Sequence, residues 1–144
     1  MKPMKAYEWI LFDIDETLFH FDSFSGLKLA LTRLGFEFSQ PDFEAYETIN
    51  KSLWVDYQNC KITSQQLQYD RFKSWAAKLQ IPADHLIEAF QNAMAEITKP
   101  LDGAIPLLNA LRGKTKLGVI TNGFTYMQHA RLERTGLKDH FDVV

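Results

Sequence analysis

The feature that most constrains this chain is the run Trp9-Ile10-Leu11-Phe12, which passes without a break into Asp13-Ile14-Asp15. Four consecutive apolar residues of β-forming type read as a strand buried on both faces, as in the middle of a parallel sheet. Two carboxylates stand where that strand ends, and open α/β sheets receive their ligands at the carboxyl ends of their strands. A rise of about 3.3 Å per residue sets the two α-carbons roughly 6–7 Å apart, a spacing that flanks one phosphoryl-sized group. Carboxylates at such a place cost desolvation energy unless a metal ion or ligand compensates. As ordinary turn residues they would need no such partner. The string Asp-x-Asp-x-Thr recurs by chance, so its weight comes from context: the apolar strand before it and a second strand ending in Thr121-Asn122.

From about Ser23 to Ile97 the periodicity becomes helical. Phe24, Leu27, Leu31 and Leu34 line one helix face, with Gly35 placed to close it. A second helix starts after Ser39, with Pro41 in its first turn, and runs through Phe43, Tyr46 and Ile49. A third opens on the capping box Thr63–Gln66 and carries Leu67, Phe72, Trp75 and Leu79. A fourth follows Pro82 with Leu86, Phe90, Met94 and Ile97. After Lys99-Pro100 the α/β alternation returns: a helix through Leu107, Leu108 and Leu111 with Asp102 as its N-cap and Gly113 at its end, then a buried strand Lys116–Ile120. A helix with Tyr126, Met127, Ala130 and Leu132 follows, stopped by Gly136, and Phe141–Val144 starts a third strand. The fold class is therefore α/β, a partial doubly wound, Rossmann-like parallel sheet, with residues 1–20 and 99–144 as its core and residues 21–98 as an inserted all-helical domain.

Composition narrows the function. Apolar residues make up 46% and charged residues 24%, and the net charge is −2 with both signs interspersed. That balance excludes a basic face for a nucleic acid polymer and leaves a small phosphorylated ligand open. The single cysteine, Cys60, rules out an internal disulfide and a paired-cysteine zinc or redox site, and reads as an inert thiol. No apolar run approaches a membrane span or a signal segment, so a cytoplasmic location is expected. His85, His129 and His140 lack metal-ligand spacing and read as surface residues. His20 reads as packing or solvent-facing, Trp54 as a core aromatic of the helical insert, and Arg71 as a solvated helix charge rather than a base-stacking or phosphate-binding group.

At these residues the chain resembles a known family. Phe12-Asp13-Ile14-Asp15-Glu16-Thr17-Leu18 looks like motif I, and Val119-Ile120-Thr121-Asn122-Gly123 like motif II, of the haloacid dehalogenase-like (HAD) hydrolases. The helical insert stands where the class 1 cap of that family stands. Within it Asn50–Tyr57, with Ile62-Thr63 and Arg71-Phe72, resembles the cap of bacterial pyrimidine 5′-nucleotidases. The resemblance implies that Asp13 attacks phosphorus and forms an aspartyl-phosphate. Asp15 would protonate the leaving oxygen and then deprotonate the hydrolytic water. Magnesium would be held by the Asp13 carboxylate and the Asp15 backbone carbonyl. The Thr121 hydroxyl and the amides of Asn122 and Gly123 would bind phosphoryl oxygens. Thr17 would tie down the turn rather than touch substrate. Dehalogenases of the superfamily lack the second aspartate, so Asp15 favours phosphate esters, and Glu16 stands where sugar phosphomutases usually have glycine. The expected substrate is a pyrimidine nucleoside 5′-monophosphate. A sugar phosphate or other small metabolite is the alternative, and a non-enzymatic remnant that binds phosphate or a partner protein is a reading of another class. A two-component receiver also uses an aspartate and magnesium, but would lack the helical insert.

No residue can be assigned to the lysine of motif III or the acidic residues of motif IV, and Lys138 lies too close to motif II for that role. On this reading the sequence stops short of both motifs. The 144 residues alone should then bind magnesium weakly and turn over little phosphoester, and assay at the rate of an intact enzyme would contradict this. Trp9–Phe12 should also form an exposed apolar sheet edge that promotes oligomerisation. A monodisperse monomer by light scattering would contradict that.

Overall fold

The structure, a computed structural model, describes residues 7–121 and 125–144. In chain order the elements are β1 (Trp9–Phe12), α1 (Ser23–Arg33), α2 (Gln40–Gln58), α3 (Ser64–Leu79), α4 (Ala83–Ile97), α5 (Ala104–Leu111), β2 (Lys116–Val119) and α6 (Thr125–Arg134), followed by a 3-10 turn at Lys138–His140. The chain divides into two units, Met1–Phe21 with Ala95–Val144, and Asp22–Met94.

In the first unit β1 and β2 pair in parallel, with Trp9 opposite Lys116 and Phe12 opposite Val119. The ladder continues past the strands, because the Ile120 amide donates to the Phe12 carbonyl at 2.8 Å. The core beneath them consists of Ile14, Leu18, Phe19, Ala104, Leu108, Leu117, Val119, Leu132 and Leu137, with Ile10, Phe12, Leu111 and Phe141 packed against it. Burial of β1 on both faces is not what the structure has. Ile10 and Phe12 face the core, while Trp9 is 39% and Leu11 53% exposed. The physical reason is that only one side of the strand has a packed layer among the described residues. Leu11 leans across β2 instead: a β-carbon on Gly118 would stand 2.7 Å from the Leu11 Cδ2.

One boundary expectation is corrected and another is met only in part. Asp102 does not cap α5; the N-cap is Gly103, in the left-handed region at φ 85°, with no side-chain cap bond. A turn closed by the Ala104 amide on the Leu101 carbonyl, 3.0 Å, delays the helix by one residue and leaves Asp102 exposed. Phe141–Val144 begins to pair as a third strand, with the Asp142 amide on the Leu117 carbonyl at 2.7 Å and the Val119 amide on the Val143 carbonyl at 2.9 Å, but does not extend into one. Its sheet contact is a single parallel bridge between Gly118 and Val143. Gly136 ends α6 as expected, at φ 73°, a conformation that a β-carbon would strain.

In the second unit the predicted helices form with their predicted starts. Ser39 and Asp42 make a reciprocal capping box on α2, and Thr63 and Gln66 one on α3. Asp22 caps α1, accepting from the Ser25 amide at 3.0 Å and the Ser25 hydroxyl at 2.6 Å. The interior is aromatic: Phe38 meets Phe24, Phe43 and Trp75, and Tyr46 stacks on Phe72, which meets Phe90 edge-on. Arg71 overturns the expectation of a solvated charge. It is 5% exposed, lies 5.0 and 5.1 Å from the centres of Phe72 and Phe90, and bonds Tyr46. Burial pulls the guanidinium below its ordinary value and pushes the Tyr46 phenol above its own.

The caps carry a pH dependence. The Ser25 hydroxyl and amide hold the Asp22 carboxyl below its ordinary value, and the Ser39 amide and hydroxyl do the same for Asp42. Both groups are more acidic folded than unfolded. Their stabilisation is therefore complete above the ordinary aspartate value of about 3.9 and fades as pH falls through the lowered values. Circular-dichroism melts taken from about pH 5 down to about pH 2 should show a falling melting temperature, with a shallower fall in the Asp22→Asn/Asp42→Asn variant.

Candidate active site

The site is built where β1 and β2 end side by side. After Phe12 the chain makes a tight turn in which the Ile14 carbonyl accepts from the amides of Thr17, Leu18 and Phe19 at 3.3, 2.9 and 3.1 Å. Glu16 takes the left-handed conformation, φ 56°, and its carboxylate accepts from the Phe21 amide at 2.7 Å. These bonds bury Ile14, Leu18 and Phe19 and turn the residues between them outward. Asp13 is exposed and Asp15 half-buried. Thr17 sits in the turn with its side chain exposed, as expected of a residue that shapes it.

Asp13 and Thr121 line one open cavity of about 230 Å³, together with Leu11, Phe12 and Ile120. The parallel register explains this. Phe12 opposes Val119, so the residues just beyond each strand emerge on the same end of the sheet. Asn122 and Gly123, the expected phosphate-binding amides, lie outside the described residues, as does the side chain of Tyr126. Asp15 is held elsewhere. Its carboxylate pairs with the guanidinium of Arg131, a residue that is fully buried on α6.

Arg131 is the residue that the sequence reading missed. Its Nε donates to the Thr98 hydroxyl at 2.9 Å, one Nη to Asp15 and to the Gln128 amide oxygen at 3.2 Å, and the other Nη to the His20 carbonyl at 3.2 Å. The guanidinium also lies over Phe19, 5.2 Å from the ring centre. Gln128, 1% exposed, reaches the Thr121 hydroxyl with its amide nitrogen at 3.4 Å. A signal was present in the sequence. Gln128 and Arg131 interrupt the stripe that Met127 and Leu132 mark as the core face of α6, and a cation inside an apolar stripe needs an anionic partner.

The other candidates stand apart. His20 contributes its carbonyl to Arg131, and its side chain is exposed. Trp54 is half-buried and meets Tyr57 edge-on. His140 sets its Nε2 2.8 Å from the Asn109 amide oxygen, His85 is exposed, and Cys60 is an exposed free thiol. Lys138 pairs with Glu133 at 2.7 Å and draws that carboxyl below its ordinary value. Among the described residues no cluster of three or more His, Cys, Asp or Glu side chains is set to hold a metal. A hard cation such as magnesium needs fewer, since it binds through one or two carboxylates and keeps several waters. The donors present suit it: Asp13 offers a carboxylate on the cavity, and the bonds of the turn fall on the Ile14 and Phe19 carbonyls and not on that of Asp15.

Residues 7–144 match the sequence profile of the haloacid dehalogenase-like hydrolases. The chain belongs to that family. The Escherichia coli (strain K12) pyrimidine 5′-nucleotidase YjjG is 56% identical over 138 residues, which are 96% of this chain and 61% of that protein. The pyrimidine 5′-nucleotidase PynA of Streptococcus pneumoniae is 34% identical over 145 residues, 96% of this chain and 60% of its own length. The chain thus spans less than two thirds of the relatives it matches. Among solved structures the putative HAD-hydrolase YfnB of Bacillus subtilis, bound to magnesium, superposes with a TM-score of 0.75 at 28% identity, covering 96% of this chain and 64% of that one. Hydrolases of this family generally use magnesium. An L-2-haloacid dehalogenase from Xanthobacter autotrophicus superposes with a TM-score of 0.64 at 18% identity, over 95% of this chain and 55% of that chain, and shares the fold. The parallel sheet with helices after each strand and an all-helical insert is therefore the family's architecture, as the sequence pattern indicated. No helix among the described residues is long and apolar enough to cross a membrane.

Proposed function

We propose that the protein carrying this chain hydrolyses a pyrimidine nucleoside 5′-monophosphate through an aspartyl-phosphate on Asp13, with residues 1–20 and 99–144 as core and 21–98 as cap. The observation that carries the reading is the pairing of an exposed carboxylate, Asp13, with the Thr121 hydroxyl on one cavity at the ends of two parallel strands, and a second carboxylate two residues on. In this reading the Asp13 carboxylate attacks phosphorus, and the Thr121 hydroxyl, with the amides of Asn122 and Gly123, binds the phosphoryl oxygens. Asp15 gives a proton to the departing ribose oxygen and takes one from the water that opens the intermediate, a role that contributes about 10²–10⁴-fold where it has been measured. Magnesium, held by the Asp13 carboxylate and the Asp15 carbonyl, would neutralise charge between nucleophile and phosphate. The substrate class is supported by the stretch Asn50–Tyr57 and by the names of two relatives, YjjG and PynA. A cytoplasmic location and a small phosphorylated partner follow from the same reading.

The test is phosphate release from uridine 5′-monophosphate by the full-length protein with and without magnesium. Release should require the metal, and Asp13→Asn should lower kcat at least about 10³-fold. Metal-independent release, or full activity in Asp13→Asn, overturns the mechanism. Release from sugar phosphates but not from pyrimidine nucleotides moves the assignment to the alternative substrate class.

A further inference from the structure

Resting on the phosphatase reading, we infer that Gln128 and Arg131 form a positioning pair that sets Asp15 and Thr121 together from one face of α6. The two residues are three apart on the helix and so share a face. They are 1% and 0% exposed, on the side where Met127 and Leu132 enter the core. An apolar side chain there would pack at no electrostatic cost, whereas a buried guanidinium is costly unless its donors are met. Here its Nε and both Nη atoms have acceptors, two of them in the segment that follows β1. Asp15 and the His20 carbonyl come from the segment after β1, Thr98 from the segment that re-enters this unit, and Gln128 from α6 itself.

This arrangement does two things. It fixes the Asp15 carboxylate through its Oδ1, so that Oδ2 is the oxygen placed to carry the proton. It also orients the Gln128 amide. Because the Gln128 oxygen accepts from Arg131, its nitrogen is the end that faces Thr121, and the Thr121 hydroxyl receives a hydrogen bond and is set as a donor to a phosphoryl oxygen. One buried cation thereby couples the proposed proton-transfer group to the proposed phosphate-binding group. Neither Gln128 nor Arg131 touches the cavity that Asp13 lines, so both act through the residues they hold.

The experiment has a substrate-free arm and a kinetic arm, both on the full-length protein. In urea, a double-mutant cycle of Asp15→Asn and Arg131→Met should show coupling of at least about tenfold in the unfolding equilibrium constant. Additive effects overturn the hold of Arg131 on Asp15, and with it the inference, whether or not the protein is a phosphatase. In the kinetic arm, Arg131→Met should lower kcat/KM for uridine 5′-monophosphate at least about tenfold more than for p-nitrophenyl phosphate, whose leaving group departs without a proton. Arg131→Lys, the milder change, should restore part of the difference. Gln128→Leu should raise KM for both esters several-fold and leave their ratio of kcat/KM unchanged. Equal losses on both esters in Arg131→Met and Arg131→Lys would mark a purely structural role and overturn the inference, as would an unchanged KM in Gln128→Leu for its half. Hydrolysis of neither ester by the wild-type protein overturns the phosphatase reading and the catalytic meaning of the pair, while coupling in the urea cycle would persist.

Discussion

The parallel pairing of Trp9–Phe12 with Lys116–Val119 governs everything else in the core unit. Parallel strands cannot be joined by a short turn, so the chain between them is free to be long, and here it holds the whole helical insert and α5. Because both strands run the same way, both end at the same edge of the sheet. Asp13 and Thr121, 108 positions apart by their numbers, meet on one cavity for that reason alone. A one-residue slip in the register would turn each side chain to the opposite face and separate them.

Around that edge the polar chemistry is organised in depth. Asp13 is exposed, Asp15 is half-buried, and Arg131 is fully buried behind it. The turn after β1 achieves this with backbone bonds to the Ile14 carbonyl and a left-handed Glu16, which send Ile14, Leu18 and Phe19 inward as anchors. The anchors also give Arg131 an aromatic face to lie on, Phe19, so the apolar packing and the ion pair support each other. A carboxylate tied to a buried cation is a restrained carboxylate, and the proton transfer proposed for Asp15 would draw on that restraint.

The helical unit solves a different problem. Its starts are local: Asp22, Ser39 with Asp42, and Thr63 with Gln66 bind backbone amides three residues away, which is why sequence reading could start helices after Ser39 and at Thr63, although it named neither Asp22 nor Asp42 as a cap. Its interior is not local. Arg71 looked like any solvated helix charge because its surroundings, Tyr46, Phe72 and Phe90, come from three helices whose packing is absent from a linear pattern. The same limit hid the exposure of Trp9 and Leu11, since an apolar run says that burial is available to a strand and not how many layers will supply it.

By itself, the sequence determined the helices and the two strands, the starts of α2 and α3, the glycine stop of α6, the two strand-end motifs and the family they resemble, because each is written in neighbours a few residues apart. It also named Asp13, Asp15 and Thr121 as the residues to watch. Only the tertiary structure decided that Asp13 and Thr121 share a cavity, that α5 starts at Ala104 without help from Asp102, and that Asp15 answers to Arg131. Those outcomes depend on contacts across tens of residues. Their energies come from register, burial and desolvation, which no short window of sequence contains.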